Sequence, residues 1–182
     1  VLVFGGLWVF LWSVAIMSIF SVKVEQGEVV ALHRPGSAQV ESIRTRPGRY
    51  WRLPAQNIRE LRLRVDEPIA ITSKPVEAGT FGGTSAVLTV RVIMDVTNSA
   101  RYATAVVGKQ LEAWREEVLP ALIAHVVAGR TLAQVLNDRE QVSQGIAGVV
   151  ANWLADSSAP DFGLAFKRAA IVEVTSPPLS TG

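Results

Sequence analysis

Between Leu111 and Leu154 the chain carries two apolar stripes at helical spacing, and these constrain its fold more than any other stretch. The first runs through Leu111, Val118, Leu119, Leu122, Ile123, Val126 and Val127; the second through Val142, Ile146, Val149, Val150, Trp153 and Leu154. The i, i+3, i+4, i+7 recurrence predicts helices with one face each to bury, divided at Gly129. Thr131 followed three residues later by Gln134 predicts a capping box that starts the second helical run. Pro120 lacks an N–H and predicts a kink, not a break, because the stripe continues in phase across it. Neither stripe holds a reactive side chain, so the block is a packing element and function must come from its flanks.

What precedes the block is β-type. Val22 to His33 is valine-rich and interrupted by Gly27, Arg34-Pro35-Gly36 and Pro47-Gly48 are turns, and Gln39 to Arg46 is extended. Tyr50 to Leu53 is a short run closed by Pro54. Leu61, Leu63 and Val65 alternate with Arg62 and Arg64, the period-two pattern of a strand with one buried and one cationic face. Ile69 to Thr72 is a further short strand, and Lys74 to Gly83, rich in glycine, reads as a loop. Thr84 to Val96 predicts a long central strand with Ala86, Leu88, Val90, Val92 and Met94 on one face. Ser99 is the expected N-cap of the first helix. Ala155 to Gly163 is a loop, after which Leu164 to Thr175 returns as a strand. Strands, then helices, then one strand make an α+β layout in which the last strand rejoins the sheet that the helices cover.

The front of the chain differs in kind. Residues 1–22 carry no charge, whereas all 18 Lys and Arg and all 16 Asp and Glu lie from Lys23 onward. In a helix those residues span about 33 Å, against a hydrocarbon core of about 30 Å. Their Leu, Ile, Val and Phe favour insertion by roughly 4 to 8 kcal/mol. A transmembrane helix is therefore expected over 1–22, in preference to a signal peptide, whose apolar region is shorter and would be followed by an A-x-A-like site. A buried core helix is the other alternative. The chain opens at Val1 without a methionine, so residues are expected to precede it and the side of the membrane is open. Residues 23–64 hold nine basic side chains against four acidic ones, while the remainder is net acidic. With no cysteine, thiolate chemistry and disulfides are excluded.

Arg44, Arg46, Arg49 and Arg52 interleave with Tyr50 and Trp51. Arginine with aromatics suits nucleic acid or a bilayer surface, and closeness to the apolar segment favours lipid headgroups, with Arg46, Arg49, Tyr50, Trp51 and Arg52 as the contact residues. The plainer alternative is a solvated strand face. His33 and His125 have no partner at metal-ligand spacing, and no nucleophile elbow, zinc-protease or phosphate-loop motif is present, so no catalytic, cofactor or metal site is expected. Glu112, Arg115, Glu116 and Glu117, with Asp138, Arg139 and Glu140, form mixed-sign clusters that suit either solvent or complementary contact between neighbouring copies.

The order of these features resembles a known family. The apolar segment followed by VKVEQGEVVALHRPG and RPGRYWRLP is similar to the start of the SPFH or band 7 superfamily, which includes stomatins, prohibitins, flotillins and the bacterial HflK and HflC proteins. Gln26, Gly27 and Glu28 match its strand turn, and Pro47, Gly48 and Pro54 its proline-glycine signature. Gly129, Thr131, Leu132, Val135 or Leu136, Arg139 and Glu140 match its helical run, and FGLAFKRAAIVEVTSP its closing strand. In two places the chain departs from the pattern. Lys74 to Gly83 stands where relatives often carry a T-K-D-G-like strand start, which leaves the local hairpin open. Relatives also usually continue into a long coiled coil, so the chain is either a fragment or assembles through its globular domain alone.

The resemblance implies a single-pass membrane protein with a transmembrane helix over 1–22, an SPFH domain over 23–177 and a tail over 178–182. It implies a non-enzymatic scaffold, with copies of itself or of a paralogue forming a ring or cage on the bilayer. A membrane AAA protease is among the implied partners, and nucleic acid is not. The alternative is an anchored structural component of a larger transport or secretion machine. An anchored hydrolase would need a nucleophile that the sequence does not display.

Overall fold

β2 (Glu28–His33) is the spine of the N-terminal half in the computed structural model, which describes residues 12–15, 21–51 and 58–176. It lies between β3 (Val40–Arg44) and β5 (Arg59–Arg64), antiparallel to both, while β1 (Ser21–Val24) pairs separately with β4 (Gly48–Trp51). Both faces of β2 are covered. Val29 and Ala31 pack with Ala103 of the first helix, and Val30 and Leu32 pack with Val22 and Val24. That is why EVVALH shows a continuous apolar run where β5 alternates. Gly27 turns β1 into β2 at φ +75°, and its carbonyl accepts the Val65 N–H at 2.9 Å.

The C-terminal half is built on β8 (Ser85–Val96). β6 (Ile69–Thr72) and β7 (Val76–Gly79) share one edge of it, end to end, and β9 (Leu164–Thr175) runs antiparallel along the other. The last strand thus rejoins the sheet as expected. Ala86, Leu88, Val90, Val92 and Met94 are all fully buried. Over them lie α1 (Ser99–Val107), α2 (Gln110–Ala113), α3 (Leu119–Ala128), α4 (Leu132–Asn137) and α5 (Arg139–Ala155). Both stripes face this core: Leu119, Ile123 and Val127 from α3, and Val142, Ile146 and Val150 from α5, are fully buried. The Thr131–Gln134 capping box is present. Arg130 ties α3 to α5 by donating to the carbonyls of Val126 and Gln141.

Three local expectations are corrected. Lys74 to Gly83 is not all loop: Val76 and Ala78 are buried and alternate with exposed Glu77 and Gly79, making β7, and only 80–84 turns. The glycines mask a period-two pattern that is too short to stand out. Asn98, not Ser99, caps α1, its Oδ1 accepting from the N–H groups of Ala100 and Arg101. The second helical run breaks at Asp138 into α4 and α5. The turn before Pro120, Trp114–Val118, is π-helical, which the spacing does not foretell, and the Leu119 N–H reaches back to the Trp114 carbonyl. The wider turn gives the proline ring room that an α-helical carbonyl four residues back would deny it.

Residues 12–15 are helical and exposed. Most of the 1–22 span, Arg52 and the 178–182 tail lie outside the described residues. Among the described residues no helix is long and apolar enough to cross a membrane.

Candidate membrane-facing edge and assembly surfaces

The β1–β4 ribbon sets the geometry of the cationic edge. Its register places Trp51 opposite Ser21, Tyr50 opposite Val22 and Arg49 opposite Lys23. Trp51 therefore sits at the end of the ribbon where the chain leaves the uncharged segment, and it is 65% exposed. Tyr50 is half-buried on the Val22–Val24 cluster; its hydroxyl donates to the Arg46 carbonyl at 2.8 Å, and Arg44 lies over its ring at 5.1 Å. The aromatic ring thus anchors the turn, and the arginines around it are left outside. Among the described residues Arg44, Arg46 and Arg49 pair with no carboxylate, whereas Arg62 is bonded to Glu28 and Glu60, and Arg34 to Glu41. Of the free ones, Arg49 lies two residues before Trp51 on the same face of β4, whereas Arg46 lies beyond Gly48 at the opposite end of the ribbon and Arg44 ends β3.

The acidic clusters are less uniform than their sequence suggests. Glu116 accepts from the Lys74 ammonium at 2.8 Å and from Arg115 at 3.3 Å, and Arg115 also approaches Glu112. The Lys74 hydrogen bond, then its charge, then Arg115 hold the Glu116 carboxyl below its usual value. A depressed carboxylate stabilises the fold above the ordinary carboxylate range and loses that contribution as pH falls through the lowered value. Glu116 is therefore committed to the β6–β7 connection, while Glu117 is exposed and forms no ion pair among the described residues. Asp138, Arg139 and Glu140 are exposed at the start of α5, and no hydrogen bond or ion pair joins them to the other cluster among the described residues. Lys74 gave no signal in sequence because its partner is remote along the chain.

An open cavity of about 330 Å³ lies where β6, α1 and α2 meet. Ala70, Ile71, Val106 and Leu111 form its apolar lining, with Tyr102 and Arg115 beside them. Burial raises the Tyr102 phenol above its usual value. His33 is half-buried with Nδ1 at 3.2 Å from the Arg34 carbonyl. His125 is exposed on α3, because two residues from Ile123 a helix turns to its opposite side. Among the described residues no group of His, Asp and Glu could hold a metal ion.

A family model for the SPFH domain / Band 7 family matches residues 22–178. The match spans most of the chain and every described strand but the first residue of β1, and the chain belongs to the SPFH domain / Band 7 family. Proteins of this family are generally membrane-associated. No curated protein matches the chain.

Proposed function

We propose that the protein is an oligomeric membrane scaffold: residues 1–22 anchor it, and the SPFH domain lies against the headgroups through Trp51 and the arginines around it. Copies of the chain or of a paralogue surround a patch of bilayer and govern the access of partners, a membrane AAA protease among them. The mechanism is steric and organisational, and it requires no catalytic group. The observation that carries this reading is the register of β1 with β4. It brings an exposed Trp51 to the strand end adjoining the apolar segment, with Arg49, which pairs with no carboxylate among the described residues, on the same face of β4. Tryptophan favours the membrane–water interface, and each basic residue near an anionic surface contributes about 1 kcal/mol.

The test uses the absence of cysteine in the chain. Trp51→Cys, labelled with a small fluorophore in the reconstituted full chain, is expected to be quenched by headgroup-bound nitroxides. Quenching should be stronger in anionic than in neutral vesicles, and Arg46→Glu with Arg49→Glu should remove that difference. A label equally bright with and without nitroxide lipid overturns the headgroup contact.

A further inference from the structure

The turn between β7 and β8 presents Phe81, 71% exposed, on a backbone that is tied down on several sides. The Thr80 N–H donates to the Thr84 carbonyl at 2.7 Å, their hydroxyls meet at 2.6 Å, and the Phe81 N–H donates to the Arg130 carbonyl at 2.7 Å. Arg130 is in turn bonded to α3 and α5. An apolar residue at the tip of a mobile loop could fold back onto the surface, but the backbone of this one is held by the helical layer. A rigid exposed aromatic is the kind of side chain that dominates interface energetics, because little entropy remains to be lost on docking.

The same molecule carries a recess of matching chemistry. The cavity between β6, α1 and α2 holds about 330 Å³, and an apolar cavity of about 150 Å³ already admits a benzene ring. Ala70, Ile71, Val106 and Leu111 line it with aliphatic groups, and Glu112 and Arg115 add charged ones, the flat face of the guanidinium packing well on aromatic rings. Among the described residues the Arg115 Nε is buried without a hydrogen-bond partner, while its terminal nitrogen approaches Glu112 and Glu116.

Position decides the occupant. β7 meets β8 at Ser85 to Leu88 and β6 meets it at Arg91 to Met94, so Phe81 and the cavity lie toward opposite ends of one sheet edge. At about 3.3 Å per residue they are roughly 20–30 Å apart, too far for Phe81 to fill the cavity of its own chain. We propose that Phe81 of one copy enters the β6–α1–α2 cavity of the next. Two different surfaces then meet, head to tail, and such a contact closes into a ring when its rotation permits. This inference rests on the assembly reading above and names the contact that builds it.

A cysteine pair tests the contact in the full chain in membranes. Gly79→Cys lies on β7 at an ordinary backbone conformation with no atom near its added Cβ, and Glu112→Cys is exposed at the cavity. The double variant should give a ladder of disulfide-linked species, while neither single variant goes beyond a monomer. Phe81→Asp, exposed and therefore harmless to folding, should weaken self-association about thirtyfold or more. A large wild-type particle that Phe81→Asp leaves intact, and that the cysteine pair does not crosslink, overturns this contact and leaves assembly standing. A monomeric wild type overturns both.

Discussion

Gly163→Ala is expected to lower the stability of the domain by about 2–5 kcal/mol, and urea or thermal unfolding of the variant measures it. Gly163 sits at φ +68°, where an L side chain costs about 1–2 kcal/mol. A Cβ there would lie 2.3 Å from the Asn98 carbonyl oxygen and 2.9 Å from the Arg101 Cβ. The first of these is backbone and cannot swing away, so overpacking adds about 1–3 kcal/mol. The clash falls on a junction: the Gly163 carbonyl accepts from the N–H groups of Thr97 and Asn98, and its N–H donates to Asp161, which also pairs with Arg101. These bonds join the end of β8, the cap of α1 and the start of β9. Domains are stable by only about 5–15 kcal/mol, so the variant should be marginal at growth temperature. An unfolding midpoint within a degree or two of wild type would contradict the proposed packing.

Trp114→Ala is expected to cost about 3–5 kcal/mol. Trp114 is 2% exposed at the head of the π-helical turn, with ring centroids 6.0 Å from Trp153 and 6.4 Å from Phe162. Its side chain joins the α2–α3 rod to α5 and to the loop before β9. Its Nε1 has no hydrogen-bond partner among the described residues, so truncation strands no polar group there and the cost is one of packing. Trp114→Phe keeps a ring and removes the unpartnered N–H; its cost should stay well below that of alanine. If the two variants unfold at the same denaturant concentration, the three-ring cluster is not what holds the helices to the strand.

The architecture was largely legible because its signals are periodic. Five alternating apolar residues of β8 are buried as a set, and both helical stripes face them, since burial on one side is what the spacing encodes. The Thr131 cap was legible because its partner lies three residues away. What escaped depends on spatial neighbours. β7 is four residues long and earns its place from pairing with Ser85 to Leu88. The π-helical turn arises from Pro120 together with the Trp114 packing, and only the first of these is local.

The candidate surfaces divide in the same way. Tyr50 and Trp51 were noted as a pair, yet opposite roles follow from alternation along β4: Tyr50 is packed inward and Trp51 left outward. Glu116 and Glu117, adjacent in sequence, differ because Lys74 reaches only the first. Phe81 did leave a trace, as an aromatic beside Gly82 and Gly83, but its significance rests on the Arg130 carbonyl that holds its backbone.

The central claim is that this domain works as many copies on a membrane, and the mass of the particle released from native membranes by mild detergent tests it most directly. A scaffold should run as a species of many times the single-chain mass, because confinement to one plane raises the local concentration of copies that share complementary faces. A species of single-chain mass, with no ladder after crosslinking in the membrane, would contradict the account and favour an anchored component of a larger machine.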